Sequence, residues 1–302
     1  YVLLERRLKE YLAFRCGFNE IYTYPWIDIK YINAAKIDTT NAVKLATPPA
    51  PDFANLRSSL IPGMLEAVSK NLRYFDAFRI FEMAQVVEQG EYHESTEDET
   101  LPIHKKYLTG CIVGKNAKEI FYEMKGVVEA MAEFCQMEEL GFAHSEKPSW
   151  ADINAYLNIT HKGEIIGAIG LLSVATMADS KIRRTNVAAF ELNVDKLVPL
   201  PSRTNEYKAL PLFPLVEKDL SLLVDESVTW KSIANTVSPK VKELEFMEEY
   251  KGNQIPEGKK SIMLRVKIGN DDGTMTSEQI NAKMNHILEA LNRQCGAELR
   301  TE

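Results

Sequence analysis

Between Val198 and Pro214 the chain reads VPLPSRTNEYKALPLFP, with prolines at 199, 201, 211 and 214. Proline has no N–H to donate and fixes its own φ, so neither a helix nor a central strand runs through such a stretch. The chain therefore folds as two bodies, one on each side. Its 302 residues, 45% of them hydrophobic, suffice for two cores. The first domain is placed at residues 1–200 and the second at 207–302.

Downstream of the break the elements run β-α-β-β-α-β. Lys218–Val224 reads as a strand, and Thr229 caps a short helix carrying Trp230, Ile233 and Val237. A hairpin follows, whose end, turn and second strand read YKGNQIPEGKKSIMLRVKI from Tyr250 to Ile268. Gly252, Pro256 and Gly258 make the turn. In the second strand Ile262, Leu264, Val266 and Ile268 face one way, and Ser261, Met263, Arg265 and Lys267 the other. Thr276 with Gln279 forms a capping box for a helix bearing Ile280, Met284, Ile287, Leu288 and Leu291, ended by Gly296. This is the ferredoxin-like order, a four-stranded sheet with helices on one face. The other face, with Tyr250, Ser261 and basic groups, is free for a ligand such as unpaired RNA bases.

Upstream, Leu4, Leu8, Tyr11 and Leu12 form a helical stripe that stops at Gly17, and FNEIYTYPW reads as a strand stopped by Pro25. A helix capped by Ser58 or Ser59 takes Pro62 in its first turn. Phe78 to Gly90 alternates as a strand. The stretch Glu88 to Glu99 holds six acids and no Lys or Arg, and reads as a solvated hairpin tip or loop rather than a metal site. A long helix carries Phe121, Met124, Val128, Met131 and Ala132, and the runs AYLNITHKG, EIIGAIGLL and AAFELNVDKL read as strands. Strands and helices intersperse without regular βαβ alternation, so the fold class is α+β on a largely antiparallel sheet.

The net charge of −7 excludes indiscriminate binding to nucleic acid or anionic membrane, though not a local site that reads bases. Residues 207–302 carry 13 Lys and Arg against 15 Asp and Glu, a net of −2, which leaves −5 for residues 1–206. Cys16, Cys111, Cys135 and Cys295 form no CxxC pair and point to a reducing, cytoplasmic setting. The five histidines are scattered, without zinc-ligand spacing. The longest mostly apolar run, Ile165 to Ala178, is shorter than the roughly 20 residues of a membrane helix, so no membrane is expected. No signal peptide is visible. Beginning at Tyr1 inside a helical pattern, without methionine, the sequence reads as a fragment of a longer polypeptide.

These residues carry a resemblance. FPLVEKDLSLLVDESVTW, MEEYKGNQIPEGKKSIMLRVKI and the closing GAELR resemble the C-terminal anticodon-binding domain of bacterial phenylalanyl-tRNA synthetase β subunits. GFNEIYTYPW, LRSSLIPGMLEAVSKNL, RIFEM, FYEMKGVVEAM and FELNVDKL resemble that family's catalytic-like domain, in the same order. The resemblance spans nearly the whole chain. It implies a degenerate class II aminoacyl-tRNA synthetase fold for the first domain. The helix and strand up to Pro25 stand as the motif 1 equivalent, which builds subunit interfaces, so Leu8, Leu12, Phe121 and Met124 are expected to meet a partner. RIFE occupies the motif 2 strand, with Arg79 and Glu82 as relics. The candidate for motif 3, AAFELNVDKL, lacks both the glycines and the phosphate-binding arginine, so the domain is expected to be a non-catalytic scaffold. Two stretches depart from the family pattern: SWADINA (Ser149–Ala155) where a His-Pro-Gly-Arg-Ser-Ala-like loop is usual, and Ser173-Val174 where His-Pro is usual. No counterpart of the family's upstream editing and tRNA-binding modules is present in the sequence.

For the second domain the resemblance implies that Glu248, Tyr250 and Ser261 read the first anticodon base, a guanine; Arg265 and Lys267, on the same strand face, are expected as basic contacts to the RNA. The family acid is usually Asp, and Phe usually stands where Met247 does; Met247 is expected on the core side. From the hairpin alone, Tyr250 as an edge tyrosine, Glu248 paired to a lysine and Ser261 as filler remain open. The implied partners are tRNA(Phe) and a catalytic α subunit that activates phenylalanine with ATP and Mg²⁺, in a hetero-oligomer of two α and two β chains. No cofactor is expected in this chain. The alternative is a synthetase-derived RNA-binding or regulatory paralogue without an aminoacylation role.

Overall fold

The computed structural model describes residues 2–40, 42–92, 102–200, 210–252, 254–270 and 272–300. Residues 93–99 of the acidic stretch and 201–209 of the proline-rich break lie outside them. The chain divides into two compact units, Tyr1–Thr204 and Asn205–Glu302.

In the first unit α1 (Val2–Glu10) continues into a π-helical turn (Tyr11–Arg15), which Gly17 ends at φ +69°. There follow β1 (Asn19–Glu20), α2 (Ile29–Ala34), α3 (Ile61–Asn71), β2 (Phe78–Tyr92), β3 (Pro102–Gly114) and α4 (Ala117–Cys135). The unit closes with β4 (Gly141–Ala143), β5 (Ala151–His161), β6 (Glu164–Leu172), α5 (Val174–Asp179) and β7 (Asn186–Asn193). The seven strands are ordered β1-β2-β3-β7-β6-β5-β4. All pairs are antiparallel except β1 with β2. The strand expected over FNEIYTYPW is thus cut to Asn19–Glu20. Three residues on, Thr23 turns inward, its N–H and hydroxyl both donating to the Glu82 carboxylate (3.0 and 2.7 Å), and the chain leaves the ladder.

Both faces of this sheet are covered. On one, Leu4, Leu8, Leu12, Met124 and Met131 pack on Phe81, Leu108 and Phe190. On the other, residues of α2 and α3 such as Ile32, Ile61 and Leu65 pack on Ile80, Cys111 and Ala189. The first arrangement corrects the interface assignment. Leu8, Leu12 and Met124 are each 0% exposed inside the chain's own core, and Phe121 packs against it, half-buried. An amphipathic stripe buries against the nearest apolar surface, and here that surface is the unit's own sheet. The outer sides of the same helices carry Val2, Leu3, Phe14, Tyr122 and Phe134, all exposed.

The α3 N-terminus is held by a carboxylate. The cap position is Leu60 rather than Ser58 or Ser59, and no side chain caps it; Ser59, one residue earlier, accepts from the Ile61 N–H (3.1 Å), and its hydroxyl donates to Glu191 on β7 (2.9 Å). Glu191 also accepts from the Leu60 N–H at 2.6 Å. Burial outweighs these bonds and pushes the Glu191 carboxyl up to about 7.

The second unit contains β8 (Val216–Asp225), α6 (Trp230–Val237), β9 (Glu243–Tyr250), β10 (Lys259–Ile268), α7 (Ser277–Cys295) and β11 (Glu298–Leu299). Its antiparallel sheet runs β11-β8-β10-β9, the expected ferredoxin-like arrangement. The Thr229 cap, the Thr276/Gln279 capping box and the left-handed Gly296 stop all form. Leu220, Leu222, Ile262 and Leu264 meet Ile233 and Leu291 from the two helices on one face.

Two outcomes follow from this packing. Leu12→Ala should cost the first unit about 2–5 kcal/mol. Amide exchange should then quicken in α1 and α4 and stay unchanged in β8 and β10; unchanged exchange in α1 and α4 would return Leu12 to the surface. The second concerns pH. Between about 4.5, the ordinary carboxyl value, and about 7, folded Glu191 holds a proton that the unfolded chain has lost. Its contribution is therefore most favourable below that window and is lost as pH rises through it. Glu191→Gln should flatten this part of the stability–pH profile and be the more stable chain at pH 8, by on the order of 1–3 kcal/mol; parallel profiles would contradict the burial effect.

Candidate nucleic-acid interface

The uncovered face of the four-stranded sheet is set by register. Ser261 pairs with Tyr250 and Met263 with Glu248, but Leu264 pairs with Phe246, so Met247 is an extra residue in β9. This bulge lets Glu245 and Glu248, three apart, share one face, where a regular strand would send them to opposite faces. Phe246 then takes the helix side, its ring 5.2 Å from that of Trp230. Met247, expected in the core, is instead the bulged residue and 38% exposed.

Tyr250, Glu248 and Ser261 line one hollow of about 260 Å³, together with Ser221, Met263, Gln254 and Arg300. Ser261 lies on its floor, 4% exposed, its Oγ 3.2 Å from that of Ser221. Tyr250 is 41% exposed, and its phenol lies over Gly252. A Cβ at Gly252 would sit 2.2 Å from the tyrosine oxygen, so only glycine leaves the ring where it is. Glu248 is exposed and pairs with no cation among the described residues. The nearby Lys260 lies on the helix side and takes Glu249 at 3.2 Å. The hollow thus offers an aromatic face, an uncommitted carboxylate and hydroxyls, the parts needed to stack on a flat heterocycle and bond its edge.

Arg265 and Lys267 share the face but lie further along it, with their charges engaged. Arg265 donates to both oxygens of Asp219 (2.7 and 2.9 Å) and its Nε lies 3.1 Å from Glu217. The hydrogen bond and charge of Arg265 hold Asp219 below the usual carboxylate range, and Asp219 raises Arg265 in turn. Lys267 pairs with Glu243 at 2.6 Å, which raises it. Neither cation lines the hollow. The one that does is Arg300, whose N–H donates to Ser221 O (2.8 Å) and whose Nη2 donates to Gln254 Oε1 (3.2 Å). Arg300, Gln254 and Ser221 went unnoticed in the sequence. Ser221 was accessible there, since Leu220, Leu222 and Val224 take the core side of its strand. Arg300 follows a two-residue strand whose pairing no local pattern announces.

In the first unit the motif 2 relics do not converge. Arg79 points to the α4 side, donating to Cys16 O (2.8 Å) and pairing with Glu123. Glu82, 1% exposed, points to the other side, where Arg57 Nη1 reaches it at 3.0 Å. Three apart on a regular strand, they must diverge.

Comparison with known proteins follows the same division. The family model "Phenylalanyl tRNA synthetase beta chain CLM domain" matches residues 2–194, and "Ferredoxin-fold anticodon binding domain" matches 211–300. The phenylalanine–tRNA ligase beta subunit of Clostridium acetobutylicum is 26% identical over 94% of this chain and 36% of that protein. That of Clostridium tetani is 29% identical over the same shares. The chain therefore spans a little over a third of the length of these relatives. A pyrrolysyl-tRNA synthetase structure from Desulfitobacterium hafniense overlies 65% of this chain and 66% of its own at 16% identity, a loose likeness with TM-score 0.49. With one model covering the seven-stranded unit and the other the four-stranded unit, the chain belongs to the phenylalanyl-tRNA synthetase β chain family.

Proposed function

We propose that this chain is the C-terminal portion of a phenylalanine–tRNA ligase β subunit that binds the tRNA(Phe) anticodon and helps hold the catalytic α subunit in the cytoplasm. The observation that carries this reading is the convergence of Tyr250, Glu248 and Ser261 on one hollow of an otherwise bare sheet face. A carboxylate accepts from N1–H and N2–H of guanine, an edge that adenine and the pyrimidines do not present. The Tyr250 ring supplies stacking, and the Ser261 hydroxyl, held by Ser221, a further bond. Arg300 takes the phosphate or base contact first assigned to Arg265 and Lys267, whose carboxylate partners screen them. Phenylalanine activation, with ATP and Mg²⁺, belongs to the α subunit in a proposed assembly of two α and two β chains. The apolar outer sides of α1, the π-helical turn and α4 are the surface offered to it, with Phe14 84% exposed and Arg15 lying over the Phe134 ring.

In the assembled synthetase, Tyr250→Ala should weaken binding by about 1–3 kcal/mol whatever the first anticodon base. Glu248→Gln should lower discrimination for guanine more than overall affinity. Arg300→Ala should weaken tRNAs with any first base and reduce the salt slope of binding, while Arg265→Ala changes both much less. These are read from binding curves with tRNAs varied at the first anticodon base. Unchanged affinity and preference in all of Tyr250→Ala, Glu248→Gln and Arg300→Ala would remove the anticodon reading and leave the paralogue alternative.

The subunit surface has its own test. Phe14→Asp should weaken co-purification with the α subunit while leaving the melting temperature within a few degrees of the parent's. Full retention of the α subunit would move the interface elsewhere.

A further inference from the structure

The α2–α3 face of the first unit's sheet carries a row of polar residues in register. Glu82 pairs with Thr109, Thr109 with Glu191, Glu191 with Ala168, and Ala168 with Asn158. Next to the small side chain of Ala168 the surface sinks into a cavity of about 340 Å³, bordered by Glu191, Asn158, Trp150, Tyr107 and Ile166. It lies wholly within the first unit, and the anticodon-facing hollow has no part in it.

The two carboxylates of the row are treated differently. Glu82 has Arg57 at 3.0 Å as its counter-cation. Glu191 has hydrogen bonds from Ser59 and Leu60 but, among the described residues, no cation. Two lysines border the same cavity and are engaged elsewhere. Lys147 Nζ donates to the carbonyls of Pro148 (2.9 Å) and Ala151 (3.2 Å), and Lys196 pairs with Glu164. Asn158 is likewise engaged: its amide oxygen accepts from Ser145 and Glu146, and its nitrogen donates to Glu146 O. With Lys196 neutralised by Glu164, the cavity is left with Glu191 and Glu146 against Lys147, one net negative charge beside an indole. A half-buried charge without a counter-charge either attracts one or takes up a proton, and the elevated Glu191 pKa is the second of these outcomes.

We propose that the cavity is a binding site for a small primary ammonium compound with an apolar or aromatic body, its NH₃⁺ on Glu191 and its body against Trp150. An ammonium group restores to Glu191 what Arg57 gives Glu82, and the Trp150 ring adds a cation–π or stacking contact. The volume suits a molecule of amino-acid-amide size. A carboxylate in place of the ammonium is disfavoured, because it would face Glu191.

The test uses three probes with one phenethyl-type body: phenethylamine, 2-phenylethanol and 3-phenylpropionate, titrated calorimetrically into the full chain. Phenethylamine should bind saturably and about tenfold or more tighter than either of the others. Glu191→Gln should reduce its affinity to that of the alcohol. Ala168→Leu, which fills the floor and leaves Glu191 in place, should abolish binding of all three. Thermal melts establish that each variant is folded, and a result with either folded variant is decisive. Equal affinity for the three probes, unaltered phenethylamine binding in either variant, or no saturation by about 10 mM would overturn the proposal.

Discussion

One slipped pair of residues aims the second unit's binding face. Because Met263 pairs with Glu248 and Leu264 with Phe246, β9 carries one residue more than β10 needs. Side chains alternate with a strict period of two, so that extra residue reverses the facing of everything after it. Without it, Glu248 and Tyr250 would point at α6 and α7, where Ile262 and Leu264 are packed at 0% exposure. A carboxylate there would be desolvated without a partner. The bulge avoids this conflict and simultaneously brings acid, aromatic and Ser261 together. The same reversal places Glu249 on the helix side, within reach of Lys260. The free state of Glu248 and the paired state of Glu249 have one cause.

The two units solve opposite problems with similar materials. The first buries both faces of its sheet, and two of its carboxylates act as struts: Glu82 ties the Thr23 segment and Arg57 together, and Glu191 ties β7 to the start of α3. The second leaves one face bare, and the hollow lined by Tyr250, Glu248 and Ser261 lies there. This contrast explains why Arg79 and Glu82 form no constellation: Glu82 holds a loop, and Arg79 serves the opposite face altogether.

What the sequence disclosed follows from how local the underlying physics is. The Thr276/Gln279 box, the Thr229 cap and the Gly296 stop depend on neighbours within four residues, and all were readable. Strand facing in β10 was readable because its alternation is unbroken. The Leu8/Leu12 stripe was visible, but a stripe does not say whether its own sheet or another chain will cover it. Only the packing of α1 against α4 and β3 decides that. Met247 failed for a related reason: a bulge leaves no mark in a run such as ELEFMEEY, whose alternation is already broken. Arg265 looked free because its partner Asp219 is 46 residues away, across a ladder whose register must first be known.

Register also divides the bare face electrostatically. At one end Glu217, Asp219, Glu243 and Glu245 surround Arg265 and Lys267, so both cations are outnumbered and held in cross-strand pairs. At the other end the hollow carries Glu248 alone against Arg300. A polyanion approaching this sheet meets repulsion along the first end and a single cation beside an aromatic platform at the other. Exposed pairs of this kind add little stability, on the order of 0–1 kcal/mol, so their effect is better sought in where they let a phosphate chain lie. In the proposed complex the acidic end would confine an RNA strand to the Tyr250 end. There base contacts, rather than backbone charge, would supply the affinity that a domain with a net charge of −2 can have for nucleic acid.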